Sequence, residues 1–232
     1  MKMFTAVAVV RDSKCLGIAT ALRGVLEPFA LHVELLHLLQ ARQVREFFDH
    51  PRPAYAHTVL VCHGDGEDDA PYLVFDVVDQ VNGQHDRPEG WRSTPVHCTP
   101  SWVAAHVRHG QGTLVSLACG SGREPLARAF LEAGYTAYVG PTEPYIDYDS
   151  SLVFAINWFH LLLSEDWDYG PGAHTEREAL TAASAVDGDW PYGTRAFALY
   201  GSEVQRFRRV ARPTRRLEGS AERGGTAAGG LW

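Results

Sequence analysis

Thr58-Val59-Leu60-Val61-Cys62-His63-Gly64 and Thr113-Leu114-Val115-Ser116-Leu117-Ala118-Cys119-Gly120-Ser121-Gly122 decide how this chain folds. Each opens on an apolar, β-branched run with little polar alternation, the pattern of a strand covered on both faces in a parallel sheet. Each run ends at a reactive side chain followed by glycine. Helical patterns separate and follow them. Strand alternating with helix from Thr58 onward predicts an α/β fold, a doubly wound, mostly parallel sheet. In such a sheet ligands bind beyond the carboxyl ends of the strands. His63 and Cys119, 56 residues apart in sequence, are therefore expected at one cleft.

Working outward, Phe4–Val10 and Tyr72–Val78 read as strands, as do Tyr135–Val139 and Arg195–Tyr200. From Val25 to Phe48 the residues Phe29, Val33, Leu36, Leu39, Val44, Phe47 and Phe48 recur at helical spacing and predict one long helix, stopped by Pro51 and Pro53. His32 and His37 would lie on that helix. Residues 82–99 are rich in Gly, Pro, His and charge and read as a loop. Ser101–His109 predicts a short helix capped by Thr99 or Ser101, and Thr175–Ala185 another. Pro125–Ala133 predicts a helix with Pro125 in its first turn and Gly134 past its end. Asp149–Leu163 predicts an apolar helix capped by Asp149 or Ser150. The domain is expected to span residues 1–210, with a disordered tail over 211–232.

The composition excludes several function classes. The chain has 232 residues and a formal net charge of −7, a poor match to nucleic acid, which wants a basic surface. Arg206, Arg208, Arg209, Arg212, Arg215 and Arg216 read as a solvated segment rather than an RNA-binding arm. No apolar stretch is long enough to span a membrane, and the first residues resemble neither signal peptide nor anchor. A cytoplasmic protein without membrane contact is expected. Cys15, Cys62, Cys98 and Cys119 form no CxxC pair and read as reduced thiols.

A thiol and an imidazole meeting at neighbouring strand ends suit nucleophilic catalysis. The imidazole manages the thiol's proton, and the thiolate attacks a carbonyl. The flanking glycines let substrate backbone approach and free N–H groups for an oxyanion. A lone cysteine at a strand end is usually core, and a lone histidine is usually a satisfied polar residue. The glycine-flanked pair on consecutive strand ends is what raises the reading above those accounts. His97, Cys98, His106 and His109 lack the tight pairing of a zinc site. Cys62 alternates away from His63 and reads as core.

The run Leu114–Gly122, with Leu126-Ala127-Arg128-Ala129-Phe130-Leu131-Glu132-Ala133-Gly134 after it, resembles the nucleophile block of caspase-like (clan CD) cysteine peptidases. The likeness is to the CHAT-domain branch. Val59-Leu60-Val61-Cys62-His63-Gly64 is similar to that family's His-Gly block. The resemblance covers roughly residues 55–165 and implies a three-layer α-β-α sandwich with a caspase-like sheet. It implies Cys119 as nucleophile, His63 as general base and acid, and the N–H groups of Gly64 and Cys119 as oxyanion hole. It implies hydrolysis of a protein or peptide through a thioacyl intermediate, with no cofactor and no metal in the chemistry. An acid in the loop after the next strand would favour cleavage after Arg or Lys, which points to Glu143, Asp147 or Asp149. The helix-cap account competes for Asp149.

Three features depart from the family pattern. Leu117 stands where metacaspase-like members carry Asp. One strand–helix unit is evident before the His-bearing strand, where the family has two, unless Leu16–Thr20 adds a strand. Residues 79–99 have no counterpart. Without the repeat array or sensor domain that usually accompanies CHAT modules, a separate activating protein is expected. The rival to a peptidase in a bacterial signalling or defence pathway is a catalytically silent caspase-like scaffold that binds a regulator. A small-ester hydrolase ranks last, because the Gly-x-Ser-x-Gly elbow is missing.

Overall fold

The computed structural model describes residues 4–10, 12–29, 32–50, 55–78, 93–163, 165–166, 170–171, 174–186 and 194–201. Its frame is a sheet of six strands. β1 (Phe4–Val9) pairs in parallel with β2 (His32–His37) on one side and β3 (Tyr55–Val61) on the other. β7 (Thr113–Ser116) and β8 (Ala137–Pro141) continue the parallel order, and β11 (Phe197–Gly201) closes it antiparallel, giving β11-β8-β7-β3-β1-β2. The central strands carry no polar face because both faces are covered: Val7, Ala8, Val59, Leu60, Leu114 and Val115 are fully buried.

The covering is the expected sandwich. On one face lie α1 (Ser13–Leu26), α5 (Tyr148–Leu163) and α6 (Glu176–Ser184). There His57 of β3 meets the rings of Trp158 and Phe159 edge-on, with centroids 6.1 and 5.2 Å away. On the other lie α2 (Ala41–Asp49), α3 (Pro100–His106) and α4 (Glu124–Glu132). Phe48 of α2 packs against Trp102 of α3 and Phe130 of α4, and Phe130 stacks on Tyr138 of β8. Between β3 and α3 the chain builds a second, antiparallel sheet of β4 (His63–Asp65), β5 (Tyr72–Val78) and β6 (Ser93–Cys98). The short pair β9 (Glu165–Asp166) and β10 (Gly170–Pro171) follows α5. Among the described residues no helix is long and apolar enough to cross a membrane.

Several sequence expectations hold. β5 runs from Tyr72 to Val78 as read. Thr99 caps α3, its hydroxyl accepting from Trp102 N–H. The helix expected over Thr175–Ala185 is α6, which Thr175 and Glu178 start with a capping box. Others are corrected. The long helix over Val25–Phe48 is instead the end of α1, a short 3₁₀ turn, β2 and α2. Its apolar spacing matched a helix by coincidence, because β2 is an edge strand with a mixed burial pattern and so lacks strict alternation. What makes it a strand is the ladder: β1 has a second edge to satisfy, and His32–His37 pair with Phe4–Val9 residue for residue. His32 and His37 therefore sit on a strand.

Leu16–Thr20 lies inside α1, whose buried Cys15, Ile18, Ala19, Leu22 and Leu26 form one face. Two strand–helix units thus precede β3. Part of the expected loop over 82–99 is β6; the stretch 79–92 lies outside the described residues, as does the expected tail over 211–232. The helix over 148–163 is capped by neither Asp149 nor Ser150. Asp147 does this, its carboxylate accepting from Ser150 N–H at 3.1 Å.

Buried His57 sets an acid limit on the fold. It is fully buried, with Nδ1 3.5 Å from the Thr5 hydroxyl, and burial pulls its pKa from the ordinary 6.5 down to about 3. The unfolded chain binds this proton first, so stability is complete above pH 6.5 and falls as pH drops toward 3. Urea midpoints measured between pH 7 and pH 4 should decline, and His57→Leu should flatten that slope. An unchanged slope in the variant would refute the assignment.

Candidate active site

The strand order reverses direction between β1 and β3, and such a switch point opens a crevice at the carboxyl ends of the strands. Three consecutive strand ends meet there. β1 runs on through Val10, whose N–H donates to Val61 O at 3.2 Å, to Asp12. β3 runs into His63. β7, registered on β3 with Leu60 opposite Ser116, runs through Leu117, whose N–H donates to Leu60 O at 3.0 Å, to Cys119. The imidazole-bearing and thiol-bearing segments therefore leave adjacent strands side by side.

Their backbones touch. A Cβ on Gly64 would lie 2.1 Å from Cys119 O and 3.0 Å from both Cys119 N and Cys119 C. Only glycine admits this approach, which is the physical meaning of His-Gly after β3. The turn after Cys119 is equally constrained. Gly120 has φ +61° and its N–H donates to Glu143 O at 2.7 Å. Ser121 Oγ donates to Ala118 O at 2.7 Å, and a Cβ on Gly122 would fall 2.0 Å from Gly140 O. Gly120 N–H is thereby committed, whereas Cys119 N–H has no acceptor among the described residues.

Cys119 is the one cysteine with partial exposure; Cys15, Cys62 and Cys98 are buried. Its sulfur accepts from Ile146 N–H at 3.4 Å and donates to Ile146 O at 3.7 Å. Burial pushes the Cys62 and Cys98 thiols well up, as expected of inert core thiols.

His63 is about one-third exposed. Its Nδ1 lies 2.8 Å from the Tyr148 hydroxyl, and its Nε2 lies 3.9 Å from Asp76 Oδ2. The second contact follows from register: His63 pairs with Val74, and Asp76 is two residues along the same face of β5. Cys15 Sγ donates to the Tyr148 oxygen at 3.9 Å. Burial, with Cys15 and Asp12 adding, raises the Tyr148 phenol far above its ordinary range, so it keeps its proton. With Cys15 donating in, the phenol hydrogen is available to Nδ1.

Asp12 caps α1, Oδ1 accepting from Lys14 N–H at 2.8 Å and Cys15 N–H at 3.0 Å. Its carboxyl is held below the usual value, first by the Cys15 N–H against the opposing effect of burial, with Lys14 N–H and His63 adding.

The three acids proposed from sequence as substrate contacts occupy different settings. Glu143 and Asp149 are exposed. Asp147 is half-buried, and its carboxylate accepts from both the N–H and the hydroxyl of Ser150. Arg123 fastens the rim: it donates to Gly66 O at 2.6 Å and Thr142 O at 3.3 Å and pairs with Asp68 at 3.2 Å. This guanidinium joins the loop after His63 to the loop after β8. Sequence reading singled out neither Tyr148, Asp12, Asp76 nor Arg123. Asp12 carried one local signal, an acid just before a helical apolar pattern; the others carried none, since their contacts span large sequence separations.

No known sequence family matches this chain, and no curated protein matches it. Among solved structures, the fold is similar to that of the Arg-specific cysteine proteinase gingipain R, with a TM-score of 0.55 at 9% identity. The alignment covers 86% of this chain and 46% of that one, so the chain spans about half the length of that structure. The six-stranded, mostly parallel sheet between helical layers thus matches the caspase-like α/β fold of that structure.

Proposed function

We propose that this protein is a cysteine peptidase whose nucleophile is Cys119 and whose acid–base group is His63. The observation that carries the reading is the delivery of both groups from adjacent parallel strands, with Gly64 backbone pressed on Cys119 backbone. The chemistry follows from those groups. His63 takes the Cys119 proton. The thiolate forms a C–S bond to the scissile carbonyl carbon, and the oxygen's charge is met by the Cys119 and Gly64 N–H groups. Collapse breaks the C–N bond, and the His63 imidazolium gives its proton to the departing amine. Water then gives a proton to neutral His63 and attacks the thioester, releasing acid and regenerating Cys119.

The partners proposed with it are a protein or peptide substrate and a separate activating protein, in the manner of the CHAT-like branch, within the cytoplasm and in a signalling or defence pathway. Cleavage after a basic residue fits the acids near the cleft: Glu143 on the loop that also presents Ile146 to the sulfur, and Asp76 beside His63. The test is a positional peptide library with the full chain, read for turnover and for the residue preceding the cut. Cleavage after Arg or Lys supports the reading, and cleavage after Asp removes the specificity.

One observation favours the silent scaffold. The Cys119 sulfur is hydrogen-bonded to Ile146 backbone, and His63 to Tyr148. Iodoacetamide separates the two readings. An activated thiol makes Cys119 react at least about tenfold faster than Cys62 or Cys98 in unfolded chain under the same conditions. Equal rates would favour the scaffold.

A further inference from the structure

We propose that Asp12, Cys15 and His63 form a binding site for a borderline divalent cation such as Zn²⁺, and that its occupation switches the peptidase off. The switching half rests on the peptidase reading; the site itself does not. A carboxylate oxygen of Asp12, Sγ of Cys15 and a ring nitrogen of His63 all lie within 4.8 Å of one another. One oxygen, one sulfur and one nitrogen donor make the mixed set that zinc accepts. Tetrahedral zinc, with ligand bonds of about 2.0–2.3 Å, holds its donors roughly 3.3–3.8 Å apart. Side-chain rotation closes the remaining difference.

Two of the donors are fixed to each other. Asp12 Oδ1 caps the α1 turn that carries Cys15, so carboxylate and thiol share one rigid helix start. The third donor comes from β4 across the crevice. A further polar atom, the Tyr148 hydroxyl, lies against both Cys15 Sγ (3.9 Å) and His63 Nδ1 (2.8 Å). It is a ready fourth ligand or a partner for a bound water. Asp12 and Cys15 already serve as helix cap and buried face of α1, and the proposed catalytic steps use neither of them.

Binding balances simply. The Cys15 S–H bond breaks and its proton goes to solvent, a metal–sulfur bond forms, and no oxidation state changes. Thiolate and carboxylate together neutralise the dication. The His63 lone pair spent on the metal can no longer accept the Cys119 proton, so activity falls with occupancy and returns with a chelator.

Cobalt(II) is the probe, because a thiolate ligand gives it a near-ultraviolet charge-transfer band. Titrated into the full chain, Co²⁺ should produce that band in wild type and in Cys119→Ala alike. The band should vanish in Cys15→Ala. Asp12→Asn, which keeps the helix cap, should weaken binding by at least about tenfold, the scale reached on losing even outer-shell partners. No band in wild type, a band that persists in Cys15→Ala, or one that disappears with Cys119 would each overturn the site. Zn²⁺ should inhibit wild-type peptide cleavage and spare Cys15→Ala. If the band behaves as expected but Zn²⁺ leaves cleavage untouched, the switch falls. If no variant or wild type cleaves peptides, the peptidase reading falls while the cobalt result still decides the site.

Discussion

Cys119→Ala is expected to lower peptide cleavage by roughly 10⁴- to 10⁶-fold while leaving the fold intact. The side chain removed is partly exposed and small, and its sulfur's hydrogen bonds are to Ile146 backbone. Its loss therefore costs little stability, within about 0.5 kcal/mol of the parent. His63→Ala should cost nearly as much activity, because a thiol whose proton has no acceptor and an amine whose leaving has no donor are both stalled. The double variant should be no worse than the more impaired single one, since the two groups act as one unit. Thermal unfolding of each variant separates lost chemistry from lost fold. A Cys119→Ala protein that still turns over peptide at more than about a hundredth of the parent rate would exclude this thiol as nucleophile.

Gly64→Ala should damage stability and activity together. The added Cβ would sit 2.1 Å from the Cys119 carbonyl oxygen, an atom of backbone that cannot swing aside. Either β4 or the turn after β7 must move, at a cost of about 2–3 kcal/mol by the scale of core overpacking. A displacement near an ångström of one catalytic segment relative to the other lowers turnover by about 10²-fold. Gly17→Ala and Gly24→Ala make the control. Both lie in α1 and a Cβ there meets nothing within 4 Å, so each should stabilise by up to about 1 kcal/mol and leave activity alone. Urea denaturation and peptide turnover of the three variants provide the comparison. If Gly64→Ala behaves like the α1 pair, the backbones of the two segments are not in contact and the cleft geometry is wrong.

The parts of the fold legible in sequence were those whose signal is local and strong. Residues 72–76 of β5 alternate half-buried and buried, α4 carries Pro125 in its first turn and ends before Gly134, and α6 carries its own capping box. Such elements state their boundaries within a dozen residues. The stretch from Val25 to Phe48 shows the opposite case. An edge strand covered unevenly on two faces has no clean period, and only its pairing with β1 makes it a strand. β6 was missed for the same reason: Ser93–Cys98 includes a proline and a histidine, and its conformation comes from the ladder to β5.

Taken by itself, the sequence determined that two apolar strands end in His63-Gly64 and Cys119-Gly120, because burial on both faces and the need for glycine at a close approach are written in consecutive residues. Only the tertiary structure decided that β3 and β7 are neighbours, that Tyr148 holds Nδ1 of His63, and that Asp12 and Cys15 stand at the same crevice. Those contacts join residues up to 85 positions apart. They arise from the order in which strands assemble and the helices they carry with them, which no local pattern of side chains encodes.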